Sequence, residues 1–118
     1  MQFGYTIIYV PDVAASLAFF EQAFGMTRRF LHESGTYGEL ETGATALAFA
    51  ADELAAMNFH GGHVSAHSSA KPLGMEVALV TEDVPAALRA LPAGHAFTVP
   101  ENLFRKITDE ERADWQQK

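Results

Sequence analysis

The sequence predicts an α+β fold built from a strand–helix–three-strand unit that begins a second time and does not finish. Three observations carry this. A β-rich run gives way to a helical pattern at Pro11-Asp12; three short strand-like runs separated by turn residues follow; and 71 residues after the first strand, the sequence of strand, cap and helix starts again. Local propensity and element order agree in both copies, which is worth more than either alone.

Residues 3–10 are rich in β-branched and aromatic side chains and read as a strand. Asp12 then offers an N-cap, Val13, Leu17, Phe20 and Phe24 recur at helical spacing, and Gly25 stands where a helix ends on a left-handed residue. Strands are expected over Met26–Glu33, Thr36–Thr42 and Thr45–Ala51, with two-residue turns at Ser34-Gly35 and Gly43-Ala44. Asp52–Met57 is a short helical turn, and Asn58–Pro72 has no periodicity and reads as a linker.

Tyr5–Leu17 then lies over Glu76–Leu88 without a gap, with Asp12/Asp83, Val13/Val84, Ala15/Ala86 and Leu17/Leu88 identical. Pro85 falls in the first helical turn, where its missing N–H costs nothing. His95–Val99 supplies one more strand, but the hairpin that should follow is missing. Thr108–Glu111 is a capping box for a short helix over about residues 108–117; Ile107, Glu111 and Trp115 share a face, and Trp115, Ile107 and Phe104 form an apolar stripe. The whole is a single domain: module one 1–57, linker 58–72, an incomplete module two 73–100 and an atypical tail 101–118.

Composition narrows the function. At 118 residues and 48% hydrophobic, the chain can bury an ordinary core. It has no apolar run long enough to span a bilayer and no export signal, so a cytoplasmic protein with no membrane partner is expected. The absence of cysteine excludes disulfides, thiolate metal sites and a cysteine nucleophile within these residues. The formal charge of −7 and scattered bases argue against nucleic acid and favour a cationic ligand over an anionic one.

The opening YTIIYVPDVAASLAFFEQAFGM resembles the first strand and helix of the vicinal oxygen chelate superfamily, and MEVALVTEDVPAAL resembles the start of its second module. That superfamily includes glyoxalase I, extradiol dioxygenases, fosfomycin-modifying enzymes and bleomycin-resistance binding proteins. The resemblance covers about residues 3–99. It implies duplicated βαβββ modules that form a cupped mixed sheet, with helices on the convex side and a ligand in the cup. It also implies frequent dimers. The slots where metal-dependent relatives carry His or Glu fall here on Tyr5, Ala48 and Glu76, and the last slot lies in the missing hairpin. One carboxylate and a neutral phenol do not make a divalent-cation site, so no metal and no cofactor are expected.

Strand alternation gives the site independently of the family. Tyr5, Ile7 and Tyr9 share one face, and a two-residue turn at Gly43-Ala44 pairs Leu40 with Leu47, Glu39 with Ala48 and Tyr37 with Ala50. One face then carries Leu40, Leu47 and Phe49 under the helix. The other carries Tyr5, Tyr9, Tyr37, Glu39, Glu41 and the alanines Ala46, Ala48 and Ala50, joined by His32, Phe30 and Arg28 if Ser34-Gly35 is also a two-residue turn. Tyr5, Tyr9, Tyr37, Glu39, Ala48 and Glu76 are the candidate ligand-binding residues. An aromatic wall with carboxylates suits a planar or cationic organic ligand; the plainer reading is a sheet face left wet.

His60, His63 and His67 in HGGHVSAH are a rival, loop-borne metal constellation, which Gly61-Gly62 keeps from forming a helical array. His32, Glu33 and Glu39 could supply an acid and a base. The sequence therefore points to a metal-free binder that sequesters a small organic molecule. The alternatives are a lyase or dioxygenase with an altered site, and a structural product with no activity. A homodimer is expected, because a short second module leaves strand edges and the stripe of Phe104, Ile107 and Trp115 to be covered.

Overall fold

The computed structural model describes residues 1–90. The chain divides into two compact units, Met1–Val77 and Ala78–Lys118. Each is described by itself. The expected strand at His95–Val99, the helix over 108–117 and the stripe of Phe104, Ile107 and Trp115 lie outside the described residues.

The first unit is α+β, as the sequence predicts. Strand β1 (Tyr5–Val10) leads into helix α1 (Val13–Phe24), and β2 (Arg28–Leu31), β3 (Tyr37–Leu40) and β4 (Ala46–Ala51) follow. Helix α2 (Asp52–Asn58) and a 3₁₀ turn at Ala66–Ser68 complete it. The four strands form one mixed sheet in the order β1-β4-β3-β2, with β1 parallel to β4 and the other pairs antiparallel.

Both ends of α1 are set by local chemistry. Asp12 is extended, and its Oδ1 accepts the Ala15 N–H at 2.9 Å. Gly25 closes the helix at φ 64°, a left-handed conformation that glycine adopts without a Cβ penalty. Between them Val13 and Leu17 reach the core formed by Leu40, Leu47, Phe49 and Ala51, and Ile8, Val10, Phe20, Met26 and Leu31 flank it. Phe20 stacks obliquely on Phe49 with ring centroids 5.3 Å apart. Leu17 is completely buried, so truncating it to alanine would cost about 2–5 kcal/mol.

The β3–β4 register matches the expectation residue for residue: Leu40 opposite Leu47, Glu39 opposite Ala48, Tyr37 opposite Ala50. Gly43 makes the turn at φ 91°, and Thr42 Oγ1 both donates to the Thr45 carbonyl and accepts the Leu47 N–H. The β2–β3 connection differs from expectation. His32 N–H still reaches the Tyr37 carbonyl, but the loop spans residues 33–36 instead of closing in two. Ser34 explains this, since its hydroxyl is shared with His32 Nδ1 and Thr36 Oγ1 at 2.7 Å each. Such local side-chain bonds offer the backbone an alternative to the ladder.

A larger departure sits in β2. Phe30 pairs with Glu39 as expected, but Arg28 pairs with Leu40, so Arg29 is the extra residue of a β-bulge. Arg28 is thereby turned away from the Tyr37–Glu39 face, where it was expected, toward α1. There its Nε and Nη2 donate to Glu21 Oε1 at 2.9 and 2.6 Å.

The repeated N-cap is present in the second unit. Asp83 Oδ1 accepts the Ala86 N–H at 2.9 Å and starts helix α3 (Val84–Arg89), with Pro85 in its first turn. The strand expected before it is not formed: residues 75–80 carry no regular structure and Glu76 is exposed. A strand needs partners for its N–H and C=O groups, and none of the described residues pairs with this segment in a sheet.

Gly38 makes the close approach of α1 possible. A Cβ built there would stand 2.6 Å from Leu17 Cδ1 and 3.2 Å from the Phe30 carbonyl oxygen. Gly38→Val should therefore destabilise the chain by about 1–3 kcal/mol, read as a lower urea midpoint. An unchanged midpoint would mean that α1 does not rest on β3 as described.

Candidate functional site

The face of the sheet away from α1 carries the predicted aromatic row. Tyr5, Ile7 and Tyr9 of β1 stand opposite Ala46, Ala48 and Ala50 of β4, which in turn face Tyr37 and Glu39 of β3. Tyr5 is 58% exposed, and Ile7 and Phe30 are each 41% exposed. Phe30 packs obliquely on Tyr37 at 5.9 Å between ring centroids. Ala48 is completely buried beneath its neighbours, so it forms the floor under this face and offers no surface of its own.

Glu39 is the buried polar residue of the described chain, and both its oxygens are occupied. Tyr37 OH donates to Oε1 at 2.8 Å and Arg29 Nη1 to Oε2 at 3.3 Å. Arg29 also grips Glu41 with a fork, Nε to Oε2 at 2.8 Å and Nη2 to Oε1 at 2.7 Å, and Nη2 reaches the Gly43 carbonyl at 3.1 Å. A paired guanidinium of this kind fixes direction as well as charge. The bulge is what delivers it, because a regular β2 would turn Arg29 to the helix side. Sequence alternation alone could not find Arg29; a bulge has no signature in hydrophobic periodicity.

The charges shift accordingly. The Arg29 hydrogen bonds hold the Glu41 carboxyl below the usual carboxylate range, and the Glu41 hydrogen bond raises the Arg29 guanidinium. Burial, followed by the hydrogen bond to Glu39, raises the Tyr37 phenol well above its ordinary value.

Tyr9 shares the face but is covered. Phe59 meets it edge-on at 5.7 Å, His63 lies 5.9 Å away, and Asn58 Nδ2 donates to its hydroxyl at 3.2 Å. Glu76, the remaining predicted site residue, is exposed in an irregular segment and has no described contact with this face. His63 and His67 approach Asp52, at 3.5 and 3.6 Å, and no group of three His, Asp or Glu side chains among the described residues is arranged to hold a metal. The slots Tyr5, Ala48 and Glu76 do not fit a divalent cation either, since Ala48 has no donor atom.

Comparison with known proteins gives two likenesses. Among solved structures, a glyoxalase/bleomycin resistance protein/dioxygenase family enzyme of Burkholderia phytofirmans superposes with a TM-score of 0.55 at 22% identity, over 76% of this chain and 73% of that one. A gene product of Arabidopsis thaliana gives 0.52 at 16% identity, over 96% and 82%. A possible glyoxalase of Bacillus cereus gives 0.50 at 16%, over 76% and 68%. The fold is that of glyoxalase/bleomycin-resistance/dioxygenase proteins. The second likeness falls on the later part of the chain. The family described as the anticodon binding domain of methionyl tRNA ligase matches residues 64–118. A methionine–tRNA ligase of a Ruegeria species is 67% identical over 46 residues, 39% of this chain and 8% of the ligase. One of Cereibacter sphaeroides is 79% identical over 34 residues, 29% and 6%. The chain thus spans under a tenth of the ligases it matches.

The Tyr37 shift has a measurable consequence. A phenol raised in the folded state keeps its proton where the unfolded phenol, near pH 10, has lost it. Its contribution to stability is thus full below about pH 10 and is lost as pH rises through the folded value. A spectrophotometric titration should show a phenol ionising above the ordinary phenol range, and Glu39→Gln should bring it down. A titration with no phenol above that range would contradict the network.

Proposed function

We propose that the sheet face away from α1 binds a small organic molecule with an aromatic ring, without a metal, and that the chain sequesters this molecule. The observation that carries the reading is the exposed row of Tyr5, Ile7 and Phe30 beside a fixed Tyr37–Glu39–Arg29–Glu41 network. A small-molecule site sets a few oriented polar groups among apolar and aromatic side chains, and this face supplies both. The likeness in fold to glyoxalase/bleomycin-resistance proteins supports the choice of this face.

The cationic character of the ligand rests on the charge of this face. Arg29 is set against both Glu39 and Glu41, which leaves one negative charge unbalanced. An enzymatic alternative, a lyase or dioxygenase, would draw on the Tyr37–Glu39 pair for proton transfer; a purely structural product would bind nothing. A cytoplasmic place belongs to the same proposal. So does a homodimer, since among the described residues β1 ends the sheet and its outer backbone groups could pair with a second copy. Light scattering at twice the chain mass is the expected result, and a monomer removes the dimer from the proposal.

Calorimetric titration with a panel of charged and neutral aromatic compounds tests the binding. A saturable ligand is expected, and Tyr5→Ala should weaken it by about 0.5–2 kcal/mol. No saturable member, or an affinity indifferent to Tyr5, would remove the reading.

A second reading rests on residues 64–118 and their match to an anticodon-binding domain: this segment contacts tRNA. Acids outnumber bases within it, which weighs against a phosphate-binding surface. An electrophoretic mobility shift with tRNA at low salt decides it, with no shift expected and a salt-sensitive shift favouring the second reading.

A further inference from the structure

The segment after α2 touches the end of the proposed binding face yet contributes nothing to the core. From Asn58 to Ser68 every residue is exposed except Ser65, which is half-buried. Its polar anchor is one carboxylate, and its turn at Ala66–Ser68 lies near β1. Asp52, the first residue of α2, accepts the Ser65 hydroxyl on Oδ1 at 3.0 Å, and the same oxygen lies 3.5 Å from His63 Nε2. Its Oδ2 lies 3.6 Å from His67 Nδ1. Ser65 Oγ also meets His63 Nε2 at 3.2 Å, so hydroxyl, imidazole and carboxylate form one cluster. On the side toward the sheet, Phe59 and His63 cover the Tyr9 ring, and Asn58 holds its hydroxyl. Phe59 and His63 also lie against each other, at 6.3 Å between ring centroids. Gly61 and Gly62 stand between these two contacts, with Gly62 at φ 82° in the region where glycine alone is unstrained.

We propose that residues 59–68 are a strap that closes over Tyr9, with Asp52 as its latch. A segment secured by water-accessible polar contacts, with no apolar side chain in the core, opens at far lower free energy than the sheet beneath it. Opening exposes the third tyrosine of the row and lengthens the face from Tyr5 and Ile7 to Tyr9. Asp52 acts through the strap and is a positioning residue. The glycine pair within the strap lets the backbone between Phe59 and His63 turn at the least steric cost.

The test needs no ligand, so failure of the binding proposal would leave it standing and its own failure would leave the binding proposal standing. The full chain is treated with tetranitromethane, and nitration at Tyr9 and Tyr5 is followed by peptide mass mapping. In the native chain Tyr9 should react several-fold more slowly than the exposed Tyr5. Asp52→Ala should raise the Tyr9-to-Tyr5 ratio several-fold and speed amide exchange over residues 59–68, while exchange in β4 stays slow. Ser65→Ala, which leaves α2 untouched, should move both in the same direction by less. A Tyr9 that reacts as fast as Tyr5 in the native chain overturns the proposal. So does an unchanged ratio and unchanged strap exchange in both variants, or fast β4 exchange in Ser65→Ala, which would show that the sheet and not the strap had opened.

Discussion

The contact between Leu17 and Gly38 is the constraint on which the rest of this unit depends. A Cβ here would run into the end of the buried Leu17 side chain and the Phe30 carbonyl, and Gly38 supplies that gap in the middle of β3. With α1 seated there, alternation assigns every other residue of β3 and β4. Leu40, Leu47 and Phe49 go to the helix, and Tyr37, Glu39 and the alanines go to the other side. Burial of the first set is what holds the second set in place. A slip of one residue would put Glu39 under Leu17, which no rearrangement of charge could offset.

Much of this could be read from the sequence, and the reasons are local. Asp12 and Gly25 fix the ends of α1 through bonds made within a few residues, and Gly43 fixes the β3–β4 register through its own backbone angle. The aromatic row followed from period two alone. What escaped reading depends on partners distant in sequence. The segment around Glu76 has the composition of β1, yet composition cannot supply a neighbouring strand, and the segment is irregular. Tyr9 falls on the predicted face, but its covering by Phe59 and His63 depends on where a loop without periodicity returns. The repeated Asp caps at 12 and 83 were legible because a cap needs nothing beyond its own turn.

The two likenesses sit on the chain differently. The glyoxalase-type fold describes a strand–helix unit whose core closes among residues 8–51. The ligase-type segment begins at residue 64, inside the strap. The solved structures cover 76% and 96% of this chain, so the two likenesses overlap. Asp52 precedes the ligase-type segment, Ser65 and His67 lie within it, and the hydrogen bond between Asp52 and Ser65 crosses its start. No core residue takes part in that bond.

The bulge in β2 carries a consequence about chain length. Arg29 is the surplus residue: Phe30 and Arg28 already occupy successive positions opposite Glu39 and Leu40. A chain one residue shorter at this point would keep every pairing in the sheet and the Arg28–Glu21 bridge, and would lose only the guanidinium that stands between Glu39 and Glu41. The architecture and the charge of the face are thus separately heritable. A single-codon deletion would take a face with one unbalanced carboxylate to one with two, with the strand register unchanged but the buried Glu39 left without its cation at a cost to stability.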